Sequence, residues 1–249
     1  MVHQLFLSQD LRPVYERSQN TTGLPVYVQI SEVLIREIAA GRLIDGARLP
    51  PERDLAQQHF TTVRTLRKAL DLIEKKGLLE RIQGSGNYVR AGAVVDSIYS
   101  MFRLELRGGG GLPTARVLDV IEQNKPDDLP RFGTSDRATC IRRLRFLNRI
   151  PVAVEEIWLD LGAGKIIRAD LSDSLYRYYK MQLGFWISHA EDSVRIGPVP
   201  NWAPPEFAPP IGTTVGYIER LSHSEQLGPV EFSRTWFDPD QAHYVQRLK

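Results

Sequence analysis

The sequence predicts an α+β chain in two parts: a winged helix-turn-helix at the N-terminal end, then an antiparallel sheet. Three observations predict it. Apolar residues recur at helical spacing up to about residue 76. Two short β-like runs joined by glycines follow at once. Beyond them the texture changes to short strand-like runs broken by glycine and proline. A length of 249 residues suits about two domains.

The elements follow in order. Residues 1–24 form a polar lead ending in SQNTTG and read as a loosely held arm. From Pro25 a helix is expected, with Tyr27, Ile30, Leu34 and Ile38 as its apolar stripe. Pro25 suits a first helical position and Gly41 a stop. RLIDGARLP is a loop with a turn-forming Asp45-Gly46 pair. A short second helix runs from Pro51, near its first turn, to His59, with Glu52 favourable to the helix dipole. A third runs from Thr62, an N-cap type, to about Lys76, with Leu66, Leu70 and Ile73 as its stripe and Ala69 beside it. Gly77 ends it. LLERI and NYVR are then strands joined by Gln83, Gly84, Ser85 and Gly86.

Helix, helix, helix and hairpin describe a winged helix-turn-helix. Thr62, Arg64, Thr65, Arg67 and Lys68 lie in the first two turns of the third helix, where side chains can reach base edges or phosphates. Gly84 and Gly86 let the wing backbone approach a groove closely. A helical cap with a solvated charged face is open on pattern alone. The segment from Pro25 to Arg90 carries eleven bases and eight acids, only a mild bias toward a polyanion.

RAGAVVD reads as a linker, which divides the chain into 1–90, 91–96 and 97–249. In the last part CIRRLRFLN, PVAVEEIWLD, HAEDSVRIG, VGYIERLSH and VEFSRTWFD are strands. DSLYRYYKMQLG is a helix and TARVLDVIEQN a shorter one. An internal echo relates RLRFLNRIPVAVEEIWLD to RLSHSEQLGPVEFSRTWFD. Each has Arg-Leu, a turn, Pro-Val and a tryptophan seven residues after the proline: Pro151 with Trp158, Pro229 with Trp236. Two related hairpins follow. In that alignment Ala153 matches Glu231 and Glu155 matches Ser233, on equivalent faces. Arg143 and Arg145 share a face too, so arginines and carboxylates can converge on one polar pocket. Salt-bridged strands facing solvent are the other reading of the same pattern.

Two resemblances bear on these alternatives. PVYVQI, GRLIDGARLPPERDLA, VRTLRKALDLIEKKGLL and QGSGNYV resemble the DNA-binding domain of GntR-family bacterial transcription regulators. The resemblance implies a third helix in the major groove with the wing beside it. It implies DNA contacts at Arg53, Thr65, Arg67 and Gly86. Two departures stand out: Pro51 replaces the family's serine, and Thr62-Val63 replaces a Ser-Arg pair, with Arg64 one position on. The second half, through RRLRFLNRIPVAVEEIWLD, SLYRYYKMQLG and IERLSHSEQLGPVEFSRTWFD, resembles the UTRA effector domain of HutC-type members, which shares its fold with chorismate lyase. That implies an effector pocket lined by Arg143, Arg145, Glu155, Glu231 and Ser233. An arginine pair suits bidentate binding of carboxylate or phosphate.

The expectation is a homodimeric, ligand-responsive regulator, a repressor, that binds double-stranded operator DNA and a small anionic effector. The alternative is a metabolite-binding or lyase-like protein with a vestigial head. No cofactor, metal or catalytic role is expected. His3, His59, His189, His223 and His243 are scattered, and His189 with Glu191 lacks a third ligand in sequence. No Ser-His-Asp arrangement stands out. LELRGGGG reads as flexible and does not match a P-loop. About 150 residues are too few for a fused aminotransferase-like domain, and the strand-rich texture disfavours an all-helical metal-binding one. Cys140 is expected as a buried, inert thiol. No apolar run is long enough to cross a membrane. MVHQLFLSQDLRPVYERS lacks a signal-peptide pattern, so a cytoplasmic location is expected.

Overall fold

The computed structural model describes residues 25–39, 42–90, 101–171 and 174–246. The arm over 1–24, the helix stop at Gly41 and the linker over 91–96 lie outside those residues.

The head is built from α1 (Val26–Ala39), α2 (Glu52–Gln58), α3 (Val63–Lys75), β1 (Leu79–Ile82) and β2 (Gly86–Val89). Ile30, Ile35, Leu66, Leu70 and Ile73 are its fully buried centre. Each such side chain contributes about 1.5–3 kcal/mol relative to exposure. Thr62 caps α3, its hydroxyl accepting from the Thr65 amide at 3.2 Å. Pro51 stands at the N-cap of α2, one position earlier than its expected place inside the first turn. A proline has no side-chain acceptor, so that cap bond is absent, and Glu52 and Asp54 meet the helix dipole instead. Gly86 is the first residue of β2, paired with Ile82, rather than part of the turn.

The second part centres on a six-stranded antiparallel sheet in the order β4-β5-β6-β9-β8-β7. Its strands are β4 (Pro113–Asn124), β5 (Arg137–Leu147), β6 (Ile150–Asp160), β7 (Ile187–Pro198), β8 (Thr214–Ser224) and β9 (Gly228–Phe237). A two-stranded annex pairs β3 (Leu104–Leu106) with β10 (Ala242–Tyr244). The helix expected from DSLYRYYKMQLG is α4 (Leu175–Tyr178), continued by a π-helical turn over Tyr179–Leu183. Its Tyr178 and Tyr179 pack on the sheet with Ile141, Ile157 and Val230.

TARVLDVIEQN is not a helix. It is most of β4, and a bulge explains the misreading. The register with β5 shifts between Val117 and Asp119, leaving Leu118 as the extra residue. Val117 and Val120 thereby join one cluster while Leu118 joins another across the sheet. A bulged strand thus shows apolar residues three apart on one face, the spacing that suggests a helix.

The sequence echo is a structural repeat of two three-stranded meanders. Arg143 pairs with Glu155 and Arg220 with Ser233. Cys140 pairs with Trp158 and Tyr217 with Trp236. Both meanders carry a bulge at the same place, opposite Phe146 and Pro151 in one and His223 and Pro229 in the other. Cys140 is buried, and burial, with Glu156 nearby, pushes its thiol up to about 12. It is unreactive near neutral pH.

Candidate functional site

One face of the sheet, with α4 and the segment leading into β3, encloses a cavity of about 90 Å³. Arg143, Arg145, Glu155, Glu231 and Ser233 all line it, so the structure brings the expected effector residues together. Alternation along β5, β6 and β9 puts these side chains on one face.

The cavity is lined by charged side chains. Arg143 donates from Nε and Nη2 to Glu155 Oε2 at 3.1 and 2.7 Å. Arg145 Nε lies 3.6 Å from Glu155 Oε1. Burial alone would raise the Glu155 carboxyl, but Arg145 and Arg143 outweigh it and hold it below the usual carboxylate range. Glu231 behaves oppositely. Burial pushes its carboxyl up although Tyr179 and Ser222 donate to it at 2.6 and 2.9 Å. Arg143 Nη1 is buried with no hydrogen-bond partner among the described residues. A buried donor left unmet costs about 1–3 kcal/mol, so an acceptor from a bound molecule is favoured there.

Sequence reasoning missed Arg103, Tyr176 and Arg220, which also line the cavity. The echo held the signal for Arg220, because it occupies the repeat position of Arg143. Asp192 clamps Arg220 in two bonds of 2.5 and 2.6 Å and accepts from the Tyr244 hydroxyl at 2.7 Å. Tyr176 had no sequence signal beyond its helix; its hydroxyl meets Ser222 at 2.9 Å. Arg103, Arg143, Arg145 and Arg220 face fewer carboxylates, which favours an anion.

The residues expected to read DNA lie on the head. Arg53, Arg64, Arg67 and Lys68 are exposed, Thr65 is half-buried, and Gly84 and Gly86 stand at the wing. Arg67 pairs with Glu52 at 2.6 Å, and Lys68 lies over the Tyr27 ring. The Thr62 hydroxyl is occupied with capping α3. Val63 packs against the head's core, so the adjacent exposed cation on this turn is Arg64. Arg48, which sequence reasoning did not single out, lies against the wing; a Cβ on Gly86 would stand 3.0 Å from its Nε.

Head and cavity touch. Arg42 bridges Glu37 of α1 and Glu105 of β3, both at 2.8 Å. The glycine-rich stretch expected to be flexible is the surface beneath it: a Cβ on Gly109 would stand 2.5 Å from Arg42 Nη2. The Phe102 ring lies against two guanidinium groups, Arg36 of α1 at 5.7 Å and Arg145 of the cavity at 4.6 Å. Arg36 is 7% exposed, and burial lowers its pKa from the ordinary arginine value.

Known proteins resemble both parts. Residues 109–243 match the UTRA domain, and residues 26–89 match "Bacterial regulatory proteins, gntR family". The HTH-type transcriptional regulator SmoD of Agrobacterium fabrum is 52% identical over 228 residues, covering 91% of this chain and 97% of that protein. The HTH-type transcriptional repressor NagR of Bacillus subtilis is 26% identical, covering 90% of this chain and 96% of that one. Among solved structures, the ligand-binding domain of a putative GntR-family regulator from Bordetella bronchiseptica aligns with a TM-score of 0.53 and 21% identity. It covers 59% of this chain and 96% of that domain, and the likeness is one of fold.

Proposed function

This chain belongs to the GntR family of bacterial transcription regulators, in the branch that carries a UTRA domain, and from that premise we propose how it is controlled. A homodimer binds a palindromic operator through two winged heads, with half-sites about one helical turn apart. Each cavity takes a small anionic metabolite held by Arg143, Arg145 and Arg220, and Glu231 meets a hydroxyl or amine of the same molecule. Occupancy changes operator affinity and relieves repression; NagR, named a repressor, supports that sign.

The observation that carries the reading is the ring of Phe102. It touches Arg145 of the cavity and Arg36 of the head at once. A ligand that draws Arg145 toward its own charge weakens that arginine's hold on the ring. The head's seat on the effector domain then changes. A coupling of about 1–3 kcal/mol changes operator affinity roughly 5- to 150-fold.

The test is a thermal-shift screen of the full chain against small anionic metabolites, followed by operator titration with any compound that stabilises. At 100 times its dissociation constant a ligand adds about 2.7 kcal/mol. Arg143→Lys is expected to abolish the shift, and Arg67→Ala to weaken operator binding without touching it. Phe102→Leu is expected to keep both binding events and lose their coupling. If Phe102→Leu responds to ligand like the unaltered protein, the route through this ring is wrong.

A further inference from the structure

The second meander holds a cluster that the effector site does not use. His189 of β7 lies directly opposite His223 of β8. Glu191 follows two residues on, on the same face. The ligand atoms of all three lie within 4.8 Å of one another. Alternation places them on the face opposite Ser222 and Arg220, behind the cavity. Sequence reasoning set His189 and Glu191 aside for want of a third ligand; the strand pairing supplies it.

We propose that His189, Glu191 and His223 form a binding site for a divalent transition-metal cation of the zinc class. Two imidazoles and one carboxylate are a donor set that suits such an ion. The backbone is arranged around the two histidines. A bulge stands between Ile187 and His189 on β7, and another shifts the β8–β9 register between Ser222 and His223. Bulges re-aim side chains beside functional sites. The Ser188 hydroxyl donates to the His223 carbonyl at 3.2 Å and lies 3.4 Å from His189 Nδ1. It can accept from an Nδ1–H, which leaves the Nε2 lone pair of His189 for a metal. Such a partner on the far nitrogen orients metal-bound histidines generally. His223 Nδ1 is itself buried with no hydrogen-bond partner among the described residues.

The imidazole rings are parallel, 8° apart with centroids at 4.3 Å. Ligand atoms around a tetrahedral zinc stand roughly 3.3 Å apart, so side-chain rotation of an ångström or so closes the site. The fold does not demand this cluster. At the repeat position in the first meander, Thr114 pairs with Phe146, and Arg116 stands where Glu191 does. None of those three offers a metal ligand. The bound ion would pin β7 to β8 beside Asp192, Arg220 and Ser222, and so stiffen one wall of the effector cavity.

The experiment titrates the full-length, tag-free protein with zinc chloride against a chromophoric chelator, with magnesium chloride as the control. One equivalent of zinc per chain is expected, with a dissociation constant in the micromolar range or tighter, and no competition from magnesium. His189→Gln and His223→Gln are each expected to weaken binding at least tenfold. Glu191→Gln, at an exposed position that leaves folding intact, is expected to weaken it several-fold. Zinc should raise the thermal midpoint of the unaltered protein and not that of the His189→Gln, His223→Gln double variant. Zinc binding no tighter than that of the double variant overturns the proposal, as does binding that the single variants retain in full.

Discussion

The two meanders share a backbone and differ in where they keep their carboxylates. In the first, Arg143 pairs inward with Glu155 of β6, and its outer neighbour on β4 is Val117. In the second, Arg220 faces Ser233 inward, and its carboxylate, Asp192, sits on the outer strand β7. The acid has moved from one side of the arginine to the other. The inner acid is shared with Arg145 and lies inside the cavity; the outer one leaves Ser233 free to offer a hydroxyl there. A duplicated backbone thus fixes where charges stand, and the choice of neighbour decides what each half presents to a ligand.

Removing the acids is the severest way to break this comparison. Glu155→Ala removes the carboxylate that two buried guanidinium groups share, and breaking such a pair costs about 3–5 kcal/mol. Asp192→Ala is expected to cost clearly less, because the Arg220 side chain keeps 17% of its surface in water against 6% for Arg143. Denaturant unfolding of the two variants side by side checks the order; equal losses would erase the distinction drawn between the halves.

A second difference concerns volume. Thr139 pairs with Leu159 in the first meander, and Gly216 with Phe237 at the same rung of the second. A Cβ on Gly216 would stand 2.2 Å from the Phe237 ring. Gly216→Ala is therefore expected to cost about 1–3 kcal/mol by overpacking. Adding Phe237→Leu, which copies the first half, should recover part of that loss. Urea midpoints of the single and double variants measure it.

The smallest effect is in pH. The folded Glu155 carboxyl lies below its unfolded value, so its stabilisation is full above the ordinary glutamate range and fades as pH falls through the lowered value. Glu231 is raised, so its contribution is full below the ordinary range and fades as pH rises through the raised value. The deficit of Glu155→Gln relative to the unaltered chain should thus shrink toward acid, and that of Glu231→Gln should shrink toward neutral pH. Unfolding curves between about pH 3 and 7 would show the two trends crossing, and parallel trends would reverse one of the assignments.

Much of this arrangement is legible in sequence. Helical spacing gives the head, and short β-like runs broken by glycine and proline give β5, β6, β8 and β9. The Pro-to-Trp echo gives the repeat, and with it all five expected cavity residues on two matched rungs. What escapes does so for physical reasons. Leu118 bulges and turns a strand's period into a helix's. The three-residue strands β3 and β10 are too short to carry a period. Arg220 was overlooked beside its named mate Arg143. The contacts of Phe102 and of the His189–His223 pair depend on how distant segments meet, which spacing along one strand does not record.

The sheet has a single seam. Within each meander neighbouring strands are joined by their own connections, whereas β6 and β9 pair although α4, β7 and β8 lie between them in the chain. Non-local pairings of this kind form slowly. The cavity straddles that seam, with Arg143, Arg145 and Glu155 on one side and Arg220, Glu231 and Ser233 on the other. Neither half holds it alone. An occupant would therefore fasten a join between segments far apart in the chain, and contacts that form late act chiefly on the rate of opening. Ligand would lengthen the life of the folded domain far more than it would hasten its assembly.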